Sequence, residues 1–322
     1  MGIRAQGNPS IKYASVWDGT GKGAYKNPWI YSGTGYWYGT RGVWAGGSAS
    51  GGRVDIMDYV TIANTGNATD FGDLAAAYSG MGSVSNGTRG VFAGNQAGAS
   101  DHLMYYITIA TTGNTTSFGD LTQGRSGPAG VSNGNRGVFG GGYVGGEQNV
   151  IDYITIASTG NATDFGDLLG NTSTLGQGMA TKSRGVWGGA GGNVIQYITI
   201  HTQGNAVDFG DQTESCKYFN GVSDGTRGVM GGGYGSTYSN LMNYITLATT
   251  GNAIDFGDLT EASQTNGACN NATRGCWGGG SPNGSSKSNV IGYATIQTPG
   301  NATDFGDLTD GRESVTATAG VN

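Results

Sequence analysis

One sixteen-residue string constrains this chain more than any other feature. Tyr153-Ile154-Thr155-Ile156-Ala157-Ser158-Thr159-Gly160-Asn161-Ala162-Thr163-Asp164-Phe165-Gly166-Asp167-Leu168 returns in close copies that begin at Tyr59, Tyr106, Tyr197, Tyr244 and Tyr293. That makes six occurrences about 47 residues apart, a period typical of arrays in which each repeat leans on the next. The opening Tyr-Ile-Thr-Ile alternates large and small side chains with β-branched residues, which is a strand pattern. Thr-Gly-Asn-Ala-Thr is turn chemistry, since Gly and Asn tolerate positive φ. Asp-Phe-Gly-Asp-Leu reads as a second short strand, so the string is a hairpin.

Two more segments complete the period. Arg-Gly-Val, a bulky residue and small residues follow one another from Arg41, Arg89, Arg136, Arg184, Arg227 and Arg274. A further strand precedes each, as in Ala129-Gly130-Val131-Ser132, joined through an Asn-Gly type of turn. In chain order the four strands are a (Ala-Gly-Val-Ser), b (Gly-Val-Phe-Gly-Gly), c (Tyr-Ile-Thr-Ile) and d (Asp-Phe-Gly-Asp). Four short antiparallel strands per repeat of this length make a β-propeller blade. No segment has a convincing helical period, so the whole chain, 1–322, is expected to be one all-β domain.

Bulk properties narrow the classes. The 65 glycines lack a Gly-X-Y period, and no apolar run is long enough to span a membrane as a helix. Met1–Ser10 has neither the basic start nor the apolar core of a signal peptide. A net charge of −6 argues against a nucleic-acid partner. Three cysteines are too few for a disulfide framework. Aligning the a–b hairpins sets Cys269 across from Cys276, where packing as two small hydrophobes is favoured over a cross-strand disulfide.

Spacing suggests how a ring would close. Strand-c Tyr stands 12 residues before strand-d Phe in the clear copies, and Tyr13 and Tyr25 are also 12 apart. Counting 18 residues on from Phe305 passes Asn322 and lands on Met1, which puts Met1-Gly2-Ile3-Arg4-Ala5 on the strand-b pattern. This predicts seven blades, with strands b, c and d of the seventh from the N-terminus and Val315–Ala319 as its strand a. The alternative is six blades with residues 1–38 as a separate arm.

In an antiparallel blade the a–b and c–d turns share one face of the disc, while the b–c and d–a connections share the other. The first set is uniform in sequence and the second varies freely. Recognition therefore belongs on the varied face, where Tyr78, Arg125, Tyr143, Tyr218, Tyr234, Tyr238 and Arg312 are the expected contact residues. On the uniform face, Arg41, Arg89, Arg136, Arg184, Arg227 and Arg274 are expected to pair with Asp73, Asp120, Asp167, Asp211, Asp258 and Asp307 as a structural ring of Arg–carboxylate forks.

Arg125-Ser126-Gly127-Pro128-Ala129-Gly130-Val131 with Gly137-Val138-Phe139-Gly140-Gly141 resembles the kelch strand pair that ends in a glycine doublet. Tyr153-Ile154-Thr155-Ile156 followed by Phe165 resembles the kelch family's paired outer aromatics. The repeated string as a whole is similar to repeats in structural proteins of tailed bacteriophages of marine cyanobacteria. That resemblance implies a tail- or fibre-associated virion protein, assembled in the host cytoplasm. It would be oligomeric in the particle and contact other virion proteins, with a host-surface glycan or protein as a further partner. A purely architectural subunit is the alternative, and a glycan-active enzyme on the same fold a weaker one.

No enzyme chemistry stands out. Asp-Phe-Gly occurs five times without the other kinase motifs, Gly140-x-Gly142-x-x-Gly145 precedes no helix, and the Asp-box pattern of sialidases is missing from the c–d turn. Asn67, Asn114, Asn161 and Asn301 head Asn-x-Thr sequons but recur at one turn position, so they read first as turn residues. His102 and His201, the only histidines, lie in different repeats. No metal site, cofactor or catalytic residue is expected.

Overall fold

The computed structural model describes residues 39–96, 102–172, 177–190 and 192–321. Among these residues every regular element is a strand, arranged as six four-stranded antiparallel blades and one small hairpin at Ser48–Ala49 and Gly52–Arg53. Blade III is representative: a is Ala129–Ser132, b Arg136–Gly140, c Gln148–Thr155 and d Thr163–Thr172. Blades II, IV, V and VI follow the same order in residues 82–120, 179–211, 220–258 and 267–307. Blade I takes b, c and d from Arg41–Ala45, Ile56–Thr61 and Thr69–Asp73, and its strand a, Thr316–Gly320, from the far end of the chain.

The core is distributed between blades. Six apolar clusters occupy the six blade boundaries, and each draws on two neighbouring blades. Strand alternation explains this: one sheet face supplies residues such as Val138 and Phe165, while the opposite face supplies Phe139 and Ile154 to the previous boundary. Trp44, Trp187 and Trp277 fill strand-b positions, and their indole N–H groups donate to strand-a carbonyls of the preceding blade at 3.0–3.1 Å.

The c–d turn closes the outer edge of the disc. In blade II, Gly113 N–H donates to Phe71 O of blade I (2.7 Å), and Asp73 N–H of blade I donates back to Asn114 Oδ1 (3.0 Å). The equivalent asparagines are Asn67, Asn161, Asn205, Asn252 and Asn301, each accepting at 3.0–3.2 Å from the aspartate N–H of the blade before. This clasp sets the glycine of Asp-Phe-Gly-Asp. Gly72 has φ of +136°, and a Cβ there would lie 2.6 Å from the Gly113 carbonyl, so a side chain would push the next blade's turn away. Exposed outer strands are thereby capped rather than left as open edges.

The ring has six blades, and the expected seventh is not part of it. Val315–Ala319 was expected beside Gly2–Ala5, which lie outside the described residues. Thr316–Gly320 instead lies antiparallel to Arg41–Ala45, in the register Arg41↔Gly320 to Ala45↔Thr316. Blade VI then meets blade I directly: Gly66 N–H donates to Phe305 O (2.7 Å) and Ala68 N–H to Asp307 O (2.7 Å). The repeat spacings could not detect this, because the seat for strand a beside Arg41 can be filled by either chain end. Residues 1–38, including Tyr13 and Tyr25, lie outside the described residues.

Cys269 and Cys276 stand opposite each other across strands a and b, buried and unbonded. Burial, reinforced by the neighbouring Cys276, pushes the Cys269 thiol well above its ordinary pKa, which keeps it protonated and inert.

Because blade I depends on Thr316–Gly320, removing residues 315–322 should open the ring and lower the unfolding free energy by several kcal/mol. Urea unfolding of the full and shortened chains measures this. Equal midpoints would show that the ring does not depend on its latch.

Candidate functional site

The two faces differ as topology requires. On the a–b side each turn is held by one side-chain oxygen. Asn133 Oδ1 accepts from Asn135 N–H (3.1 Å) and Arg136 N–H (2.9 Å), and Asn86, Thr181, Asp224 and Asn271 do the same in their own blades. The arginine after each turn lies over its own blade's Tyr ring, 4.0–4.4 Å from the centroid. That Tyr in turn meets the strand-d Phe edge-on, with centroids 5.9–6.2 Å apart.

The six arginines do not form the expected forks with Asp73, Asp120, Asp167, Asp211, Asp258 and Asp307. Each Nη1 crosses to the next blade and donates to the backbone carbonyl of Ile109, Ile156, Ile200, Leu247, Ile296 or Ile62, at 2.8–3.2 Å. The aspartates act through their backbones, holding the Asn of the c–d clasp. Stacking on Tyr aims the guanidinium along the rim toward the end of the neighbour's strand c, where an orphan carbonyl awaits a donor.

On the b–c and d–a side, three of the seven expected contact residues are interior. Arg125 is fully buried. It donates to Asp152 Oδ2 (2.7 Å), Gly141 O (2.7 Å), Gln123 O (3.1 Å) and Phe139 O (3.3 Å). Arg312 is equally buried in blade I against Asp58 and the carbonyl of Ile56. Desolvation lowers the Arg312 pKa, and Asp58 counteracts it. Tyr78 holds the same seat in blade II, stacked on Tyr105 with centroids 5.6 Å apart and hydroxyls 3.0 Å apart. These d–a residues fold back beneath the b–c loop, which removes them from the surface. A pair of interior side chains, Arg–Asp or Tyr–Tyr, thus wedges the d–a segment onto strand c.

The remaining four stay near the surface. Tyr143 and Tyr234 occupy equivalent places in the b–c loops of blades III and V and are 51% and 39% exposed. Each is fixed by a two-way backbone bridge to the d–a segment below it, Tyr143 to Ser126 and Tyr234 to Lys217, at 2.7–3.0 Å. Tyr238 packs edge-on against Tyr234 at 5.1 Å. Lys217 reaches Glu147 of blade III at 2.8 Å, joining the two tyrosine-bearing regions past blade IV. Tyr218 is half-buried, with φ of +60°, where the equivalent Gly80 and Gly127 have +62° and +65°. Tyr218, Thr265 and Ser314 share this left-handed seat before strand a, and no sequence pattern announced it.

Elsewhere, His201 approaches Asn133 on the a–b side at 3.4 Å, and among the described residues no three His, Cys, Asp or Glu side chains cluster as metal ligands. No protein-family model and no curated protein matches the chain.

The interior seats generate a transplant test. Arg125→Ala leaves Asp152 buried without its cation and should cost about 3–5 kcal/mol. Arg125→Tyr combined with Asp152→Tyr copies the Tyr78–Tyr105 pair and should recover most of that loss in urea unfolding. A double variant no more stable than Arg125→Ala would show that the two seats are not interchangeable.

Proposed function

We propose that this protein is a non-enzymatic, kelch-like structural protein of a tailed-phage virion, tail- or fibre-associated, whose b–c and d–a loops bind a host-surface glycan or protein. The observation that carries the binding surface is the pair Tyr143 and Tyr234, exposed at equivalent positions and locked to the chain beneath by backbone bridges. Aromatic side chains on rigid loops bring large contact area at small entropic cost. Tyr238 and the Lys217–Glu147 pair extend the same surface with polar groups. The virion assignment rests on the similarity of the repeated string to phage structural repeats. A net charge of −6 speaks against nucleic acid as the ligand.

Changing Tyr143, Tyr234 and Tyr238 together to Ser should abolish attachment to host cells while the chain still folds, since the backbone bridges that hold these loops do not depend on the side chains. Attachment is read by adsorption of particles carrying the variant, and placement by labelling the loops in assembled particles. Normal adsorption with loops buried between subunits would replace host binding by a purely architectural role. Normal adsorption with loops exposed would remove binding from this face.

A further inference from the structure

The b–c loops of blades III and V stand on either side of blade IV, whose own strands b and c stay paired up to a tight connection between Ala190 and Val194. An open trough therefore lies over blade IV, with Tyr143 on one wall and Tyr234 on the other. Both walls are held from within. Gln148 Nε2 donates to Val144 O (3.3 Å) and Gly146 O (2.9 Å), which staples the loop that carries Tyr143. The blade V loop closes on itself through Ser239 N–H to Gly233 O (3.0 Å) and Gly235 N–H to Thr237 O (3.1 Å). Tyr238 then rests over Gly284 of blade VI, where a Cβ would collide with its hydroxyl. Between the walls, Lys217 Nζ donates to Glu147 Oε1 (2.8 Å), and the two side chains are 36% and 34% exposed.

The chemistry of the trough narrows what it can hold. The ion pair cancels its own charge, so it selects neither an acidic nor a basic ligand, and the net charge of −6 disfavours a polyanion. The loop backbones spend N–H and C=O groups on their own bridges, so these loops offer no strand edge to an extended peptide. Exposed rings beside a neutral donor–acceptor pair suit a ligand with an apolar face and hydroxyls along its edge. A pyranose has both. Its C–H groups cover a Tyr ring, while its vicinal hydroxyls donate to the Glu147 carboxylate and accept from the Lys217 ammonium.

We infer that the trough over blade IV binds a neutral polysaccharide chain, stacked on Tyr143 and Tyr234 and hydrogen-bonded to Glu147 and Lys217 between them. This rests on the binding role proposed for these loops and fixes the class of their ligand. It takes a Lys and a Glu side chain to cross from one wall to the other, a gap wider than one sugar ring. Several linked sugars are therefore held together, and a monosaccharide gains only part of the contact.

Native electrophoresis of the full chain through gels containing dextran, mannan, galactomannan or polygalacturonate, compared with plain gels, reads the site. At least one neutral polymer should retard the chain, and polygalacturonate should not. Tyr143→Ser and Tyr234→Ser should each raise the dissociation constant about three- to tenfold. Tyr143→Phe, which keeps the ring, should raise it less than Tyr143→Ser. Retardation by polygalacturonate alone, or by none of the gels, would overturn the inference, and that comparison stands even if a variant fails to fold. Equal losses in the Phe and Ser variants would overturn the stacking. Particle adsorption separates this inference from the reading it rests on. Retardation by a neutral polymer, with normal adsorption of the triple Ser variant, would keep the glycan site and remove host attachment. Lost adsorption without retardation in any gel would remove the glycan and point to a protein receptor.

Discussion

The structure depends on the joint between neighbouring blades. A four-stranded blade of short strands has two apolar faces and cannot cover either alone, so each boundary must supply half a core from both sides. Around that core the same polar parts recur. An arginine stacked on its own Tyr donates into the next blade, and an Asn-bearing turn reaches back to the previous strand d. Both ties run between blades, so their effect accumulates only when the circle is complete. The final arginine, Arg274, reaches Ile62 of blade I, and Asn67 of blade I clasps Asp307 of blade VI.

This division of labour explains why one face is monotonous and the other is not. The a–b and c–d turns carry the inter-blade ties, so their residues are held by geometry: glycine where a neighbour's carbonyl presses in, asparagine where two backbone N–H groups need one oxygen. The b–c and d–a loops are tied through backbone groups, within a blade as Tyr143 to Ser126 and to the next blade as Gly47 N–H to Tyr78 O or Gly280 N–H to Arg312 O, and such ties leave the side chains free to vary. There the interior seat under the loop accepts Arg with Asp in blades I and III and Tyr with Tyr in blade II. What lies above that seat is free to differ. Tyr143 and Tyr234 stand in the open where blades I and VI place Ser48 and Ser281.

A second consequence concerns the axis. Outer edges are capped by the clasp, but inner edges converge where there is no space for another strand. Serine hydroxyls and an asparagine amide cap them instead, and small residues such as Gly130 and Gly221 let the strands approach. A polar cavity on the axis follows from that solution.

Much of this was legible in the sequence, because it rests on local periodicity. The Tyr-Ile-Thr-Ile strand, the Thr-Gly-Asn turn, the four-strand blade, the two faces and the opposition of Cys269 to Cys276 all follow from alternation, turn chemistry and repeat alignment. Three matters were decided only in three dimensions. Blade number depended on which segment takes the seat beside Arg41, and repeat spacing is blind to a choice between chain ends. The arginines went to backbone carbonyls rather than carboxylates, because every strand end offers such an acceptor and none leaves a mark in the sequence. Tyr78, Arg125 and Arg312 look like surface residues in a variable segment, yet they are buried, since their partners Tyr105, Asp152 and Asp58 come from a distant strand. Pairing across the fold, not residue type, determined which polar side chains were left for solvent.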